Sequence, residues 1–237
     1  RFFEQHGYIN LGKVLGDAEV ERWVGVFDRD RAETGYCWKA YSNHQTINCD
    51  GLVTSPELDE LIRHPRVLDP IEELMGNPVC FSEICLRHMA RYEGEPAQSW
   101  HRDRSHWPEH PLRMGYIQLM LYLSDVDQST HCFSLSPESI HDPDLDREEQ
   151  LARGGVADLH GVAGTAALSS GCSMFPSARK VWEKNWNVAG VVERYPKSFN
   201  PVRAGTLHAR TDEMWYRRNY SGGQTKLLWG LFTITDY

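Results

Sequence analysis

A histidine and an aspartate one residue apart, His101 and Asp103, stand inside the segment Gln98-Ser99-Trp100-His101-Arg102-Asp103-Arg104-Ser105-His106-Trp107. In an extended chain side chains alternate sides, so residues i and i+2 share a face. An imidazole and a carboxylate on one face form a two-point chelate. Completed by a distant histidine, such a pair makes the 2-His-1-carboxylate triad, which leaves three positions open for a co-substrate and dioxygen on Fe(II). Histidine and aspartate also ligate zinc, so a zinc-bound hydrolase or isomerase is an alternative chemistry for the same pair. Arg102, Arg104 and His106 sit beside it, where they could recognise an anionic or polar substrate. By the same alternation, Arg102 points away from the His101 face.

The remaining reactive residues are less patterned. Of eleven histidines, His6, His44, His64, His88, His131 and His160 are singly placed and read as surface or core hydrogen-bonding residues. Cys37, Cys49, Cys80, Cys85, Cys132 and Cys172 contain no C-x-x-C pair, which excludes zinc-ribbon and thioredoxin-like spacings. They read as thiols packing as small apolar groups in a reduced, intracellular setting.

The elements that must hold the pair come in two blocks. Asp17 is positioned to cap a helix whose Val20, Trp23, Val24 and Phe27 recur at the spacing of one buried face. Gly7 to Leu11 before it reads as a short strand. Ser55-Pro56 reads as a cap followed by proline at the first helical position, with Leu58, Leu61 and Ile62 buried. Pro65 and Pro70 divide that helix from Ile71 to Leu74, and Gly76 closes it. From Val79 onward short β-rich runs, Val79 to Leu86, Met114 to Leu123 and Leu227 to Thr235, alternate with Gly-, Pro- and Asp-rich turns. Helices followed by many short strands predict a mainly β domain, a sandwich or jelly roll with flanking N-terminal helices.

Composition agrees with a single packed domain. The 237 residues are 41% apolar and 11% aromatic, enough to bury a core, and no Pro/Gly/Ser linker marks a boundary across 1–237. Lys plus Arg number 25 against 33 Asp plus Glu, a formal charge of -8 that repels phosphate backbones and argues against nucleic acid. No apolar run reaches the length of a membrane span. The opening Arg1-Phe2-Phe3-Glu4 shows no signal-peptide pattern and reads as a trimmed start. A small-molecule substrate is the expected partner, and nothing in the sequence selects an oligomeric state.

Four segments in order then carry a family resemblance. Phe2-Phe3-Glu4-Gln5-His6-Gly7-Tyr8 looks like an F-F-x-x-x-G-Y signature, and Leu61-Ile62-Arg63-His64-Pro65-Arg66-Val67-Leu68 matches a second helix. The His101/Asp103 pair precedes a strand ending Leu123-Ser124-Asp125-Val126. Pro137-Glu138-Ser139-Ile140-His141 stands where a P-G-S-H turn is expected. From Phe2 to about Leu168 the chain resembles the phytanoyl-CoA dioxygenase family of Fe(II)/2-oxoglutarate oxygenases. The resemblance implies a double-stranded β-helix (jelly-roll, cupin-like) core, with Fe(II), 2-oxoglutarate and O2 as cofactor and co-substrates. It also implies oxidation of a small organic substrate with release of succinate and CO2. Halogenases related to the family replace the metal carboxylate by a small residue, so Asp103 implies hydroxylation or a related oxidation.

The second half departs from the pattern. The family's distal histidine follows a glycine turn by roughly ten residues. Val162-Ala163-Gly164-Thr165 supplies the turn, yet the expected position falls near Phe175-Pro176, and no histidine occurs between His160 and His208. One reading makes about 169–201 an atypical insertion, after which Gly205-Thr206-Leu207-His208 supplies the third ligand beside His101 and Asp103. The other leaves a catalytically inactive jelly-roll binding protein that has lost the ligand. The resemblance places the arginine for the oxoglutarate carboxylate about ten residues beyond the distal histidine. Arg218 is the choice, with Arg217 adjacent and Lys226 a point-charge substitute. Gln118 or Tyr116 lines the oxoglutarate pocket, whereas Trp182 and Trp186 read as core.

Overall fold

The computed structural model of the chain describes residues 1–40, 45–76, 79–90, 99–102, 116–170, 175–177, 216–217 and 225–234. Its N-terminal block is helical. Helix α1 (Phe2–His6) ends at Gly7, which takes the left-handed conformation at φ 71°, and strand β1 (Tyr8–Lys13) follows. In α2 (Asp17–Glu33) the N-cap is Gly16, whose N–H donates to Glu19 Oε2 at 2.7 Å. The expected cap, Asp17, is instead the first helical residue, where its charge complements the helix N-terminus. Trp23 and Phe27 are buried as expected and Val26 joins them, while Val20 and Val24 are partly buried at the rim of the same cluster.

The proline-rich stretch differs from expectation in two ways. Ser55 follows α3 (Gly51–Thr54) and gives its hydroxyl to the buried carboxylate of Asp30 at 2.7 Å, so it caps nothing after it, and α4 (Leu58–Ile62) starts later. Pro65 does not merely end that helix. It opens α5 (Pro65–Met75), with the His64 ring accepting the Arg66 N–H at 3.2 Å, the placement in which proline's missing N–H costs no helical bond. Pro70 lies inside α5, which tolerates it because Val67, Ile71 and Met75 are buried on one face.

Seven antiparallel strands form the large sheet in the order β1, β9 (Thr165–Ser170), β6 (Tyr116–Tyr122), β12 (Thr225–Ile234), β4 (Val79–Met89), β3 (Gln45–Asn48) and β2 (Lys39–Ala40). Opposite it, β5 (Ser99–His101) pairs with β10 (Phe175–Ser177), and β7 (Cys132–Leu135) lies between β8 (Ala157–Leu159) and β11 (Tyr216–Arg217). Strand alternation divides the packing. Ile84, Leu86, Ile117, Leu119, Leu121, Leu168 and Leu228 meet Trp23, Phe27, Leu58, Val67 and Ile71 of the helices. The alternate residues Cys85, Met89, Tyr116, Met120, Tyr122 and Ala167 meet Phe133, Leu135 and Leu159 of the small sheet. Two facing sheets with helices outside one of them are the predicted jelly roll with N-terminal helices.

Two polar features tie the layers. The Tyr122 hydroxyl donates to the Leu159 carbonyl at 2.8 Å and accepts the Phe133 N–H at 3.0 Å, joining β6 to β7 and β8. Gly164, at φ 91°, makes the turn into β9. Its carbonyl accepts the N–H groups of Val14 and Leu15, and a Cβ there would lie 2.7 Å from the Leu15 carbonyl. Within the stretch 169–201 expected as an insertion, Ser169 and Ser170 belong to β9 and 175–177 form β10. The rest, with Trp182 and Trp186, lies outside the described residues.

Candidate active site

His101 ends β5, with Phe175 of β10 opposite it in register. Both its ring nitrogens are buried. An imidazole held so, followed two residues later by a carboxylate, is a nitrogen and oxygen donor pair suited to Fe(II). The segment in which the family pattern puts the distal histidine therefore does run beside the His101 strand, and it carries Phe175-Pro176. Asp103, His208 and Arg218, together with Arg104 and His106, lie outside the described residues.

The inner face of the large sheet supplies the surroundings. Gln118 is fully buried on β6, in step with Tyr116, Met120 and Tyr122, and its Oε1 accepts the Ser169 hydroxyl at 3.1 Å. Both residues expected to line a pocket, Gln118 and Tyr116, thus face between the sheets. Lys226 does not. Its neighbour on the same face, Leu228, belongs to the helix-side cluster, and its ammonium lies 2.7 Å from Asp28 Oδ2 and 5.9 Å from the Phe27 ring centroid. Lys226 is an ion-pair partner of α2, which removes it as a substitute for the arginine clamp.

Arg102 also has a structural partner. Its Nε donates to Glu138 Oε1 at 2.9 Å, its Nη2 bonds the second Glu138 oxygen, and its Nη1 reaches the Leu145 carbonyl. The two side chains are 11% and 3% exposed. A planar guanidinium clamped on both carboxylate oxygens is fixed in direction, so Arg102 anchors the strand and is not offered to a substrate. Glu138 is held in turn by the N-terminus, because the Glu138 N–H donates to the His6 carbonyl at 3.2 Å and the Ile140 N–H to the Glu4 carbonyl at 3.0 Å. Sequence reasoning treated Pro137-Glu138-Ser139 as a turn missing its glycine. The acid that replaces glycine is the counter-ion of the residue next to His101.

One further residue escaped the sequence reading. Arg87 is fully buried on β4, in step with the inward residues Cys85 and Met89. The signal was available: in Ile84-Cys85-Leu86-Arg87-His88-Met89 a cation alternates in step with Cys85 and Met89, and a fully buried cation is rare unless it is paired.

A family model described as phytanoyl-CoA dioxygenase matches residues 3–158. The chain belongs to the phytanoyl-CoA dioxygenase family. Membership brings Fe(II), 2-oxoglutarate and O2 as the cofactor and co-substrates of the family and makes a 2-oxoglutarate-dependent oxygenase the class of enzyme to which the chain is assigned. Solved structures with the same fold include SnoK, a non-heme alpha ketoglutarate dependent carbocyclase from nogalamycin biosynthesis, at 13% identity and a TM-score of 0.69 over 100% of this chain and 83% of that one. EctD from S. alaskensis with bound Fe is 15% identical with a TM-score of 0.66, covering 98% and 74%. HygX from Streptomyces hygroscopicus with nickel, 2-oxoglutarate and hygromycin B is 16% identical with a TM-score of 0.63, covering 99% and 86%. A search of curated proteins finds no significant match in sequence. Among the described residues, no helix is long and apolar enough to cross a membrane. None of Cys37, Cys49, Cys85 and Cys132 is disulfide-bonded.

Proposed function

We propose that this family member hydroxylates or otherwise oxidises a C–H bond of a small organic substrate, consuming 2-oxoglutarate and O2 and releasing succinate and CO2. The observation that carries the reading is His101, with both ring nitrogens buried at the end of a jelly-roll strand and a carboxylate two residues on. In this reading His101, Asp103 and His208 hold Fe(II), which supplies the oxidising chemistry when bound. The chain forms a single oxygenase domain with an atypical stretch before His208.

The chain's own residues do the rest. Arg218 takes the distal carboxylate of 2-oxoglutarate in a two-bond fork, and Gln118 lines that pocket through its amide. The apolar residues around it, Tyr116 and Met120 among them, exclude water, so the charge of the co-substrate is met by fixed donors. The Arg102–Glu138 pair holds the direction of the strand that presents His101. A second assignment for the clamp is Arg87, favoured by its buried guanidinium on the inner face. A fold shared with a carbocyclase does not choose among oxidations, so the prime substrate is kept at its class.

Anaerobic titration of the whole chain with Fe(II) and 2-oxoglutarate tests this directly. The expected result is the weak visible charge-transfer band of a 2-oxoglutarate chelate, lost in His208→Ala, with oxoglutarate affinity at least tenfold weaker in Arg218→Ala. An undiminished band in His208→Ala refutes that ligand. Unchanged affinity in Arg218→Ala together with loss in Arg87→Gln moves the clamp to Arg87. A folded wild type that never shows the band is a jelly-roll binding protein instead.

A further inference from the structure

On β7 and at the end of β8, Cys132, Asp158 and His160 bring a thiol sulfur, a carboxylate oxygen and an imidazole nitrogen within 4.8 Å of one another. Among the described residues they are the one such group close enough to share an ion. Strand register explains the juxtaposition. Phe133 is paired with Leu159 and Ser134 with Asp158 in the antiparallel β7–β8 ladder. Continuing that register by one residue puts Cys132 across from His160, with Asp158 on the diagonal, and in such ladders directly opposed and diagonal side chains are within reach. Phe133, Leu135 and Leu159 turn toward the large sheet, which leaves Ser134 and Asp158 on the other face of the ladder.

Two observations point to a ligand rather than to chance proximity. The first is His160: its Nε2 is buried and makes no hydrogen bond among the described residues. A buried ring nitrogen without a partner is costly and uncommon in a native fold, and a cation at the centre of the group satisfies it. The second is Ser134, whose hydroxyl donates to Asp158 Oδ1 at 2.7 Å and lies 3.7 Å from Cys132 Sγ. A hydroxyl that orients a carboxylate beside a thiol is what a metal site places around its ligands.

We propose that Cys132, Asp158 and His160 form a second metal site, separate from the His101 centre, for a zinc-type divalent cation. Sulfur with imidazole selects a borderline or soft ion over Mg2+ or Ca2+, which prefer oxygen throughout. Tetrahedral bonds of about 2.0 to 2.3 Å bring ligand atoms to about 3.5 Å from one another, so small rotations of the three side chains close the remaining ångström. Three protein ligands leave the fourth position to water. Binding displaces the thiol proton of Cys132 to solvent as the thiolate forms, and the ion cross-links β7 to the end of β8.

The test is an anaerobic titration of the reduced, chelator-stripped full chain with Co(II) alone, followed by Zn(II) displacement. A thiolate-to-cobalt charge-transfer band is expected in wild type and equally in His101→Ala, which removes any contribution from the oxygenase centre. The band disappears in Cys132→Ser, and Co(II) affinity drops at least tenfold in His160→Ala. A band that persists in Cys132→Ser, or unchanged affinity in His160→Ala, overturns the proposal. If Cys132→Ser does not fold by circular dichroism, the milder His160→Gln decides by the same affinity criterion. Absence of any thiolate band in wild type also overturns it. Because His101→Ala keeps this band, failure here and failure of the oxygenase reading are separately visible.

Discussion

Glu138→Ala takes both carboxylate oxygens of Glu138 away from the Arg102 guanidinium. Arg102 is clamped on both oxygens of Glu138 with side chains 11% and 3% exposed, so the substitution removes the countercharge without admitting much water. Two charge-assisted hydrogen bonds of about 1.5 to 3 kcal/mol each set the scale. The cost of breaking a buried ion pair from one side, about 3 to 5 kcal/mol, agrees with it. Urea unfolding measures the loss. With a slope of about 2 to 3 kcal/mol/M, the midpoint falls by about 1.5 M at unchanged slope. The double variant Arg102→Met/Glu138→Leu removes both charges and fills the space with apolar atoms, so it costs less than Glu138→Ala alone. A second readout reports position: Arg102 is the neighbour of His101, and Glu138→Ala weakens Fe(II) binding while the double variant restores part of the stability and little of the affinity. A loss below about 1 kcal/mol for Glu138→Ala refutes the clamp, as does a double variant as unstable as the two single changes added together.

Asp30 is the second buried carboxylate with a test. Burial pushes its pKa up, but the hydroxyls of Thr54 and Ser55, the Asn48 amide and the Trp38 indole outweigh burial and hold it below the usual carboxylate range. A lowered folded-state pKa gives stabilisation that is complete above the unfolded-state value of about 3.9 and is lost as pH falls through the folded one. Asp30→Asn therefore flattens the acid limb of a stability profile and costs stability at neutral pH, with thermal melts between pH 3 and 7 as the check. An acid limb as steep as in wild type contradicts the assignment. Gly164→Ala puts a Cβ 2.7 Å from the Leu15 carbonyl at φ 91°. A loss of about 2 to 4 kcal/mol is expected from left-handed strain plus the clash, and a neutral result in chemical denaturation rules out the turn as drawn.

How much of this was legible in the sequence follows from the range of each interaction. Helix and strand periodicity is local, so the N-terminal helices, the three long strands and the Gly164 turn can be read from neighbouring residues. The His101/Asp103 spacing is local too, and the four ordered segments carry the family resemblance in the sequence alone. Caps were less secure. Ser55 has the residue type of an N-cap, yet it is drawn to Asp30, twenty-five positions earlier, because a buried carboxylate competes for every donor within reach.

What the tertiary structure alone decided are the partnerships between segments far apart in the chain. Arg102 could have faced a substrate until the fold delivered Glu138 to it, and Lys226 could have stood for the clamp until β12 turned it toward Asp28 on α2. Arg87 became a fully buried cation only when the two sheets closed over it. His160, an ordinary histidine by spacing, met Cys132 through the register of a strand pair. Side-chain type and period are properties of the chain, whereas charge compensation and ligand sets depend on which strands lie opposite one another. The sequence by itself therefore determined the family and the jelly-roll class and offered His101 and Asp103 as candidate ligands, whereas the meeting of distant segments assigned Glu138 to Arg102 and Asp28 to Lys226.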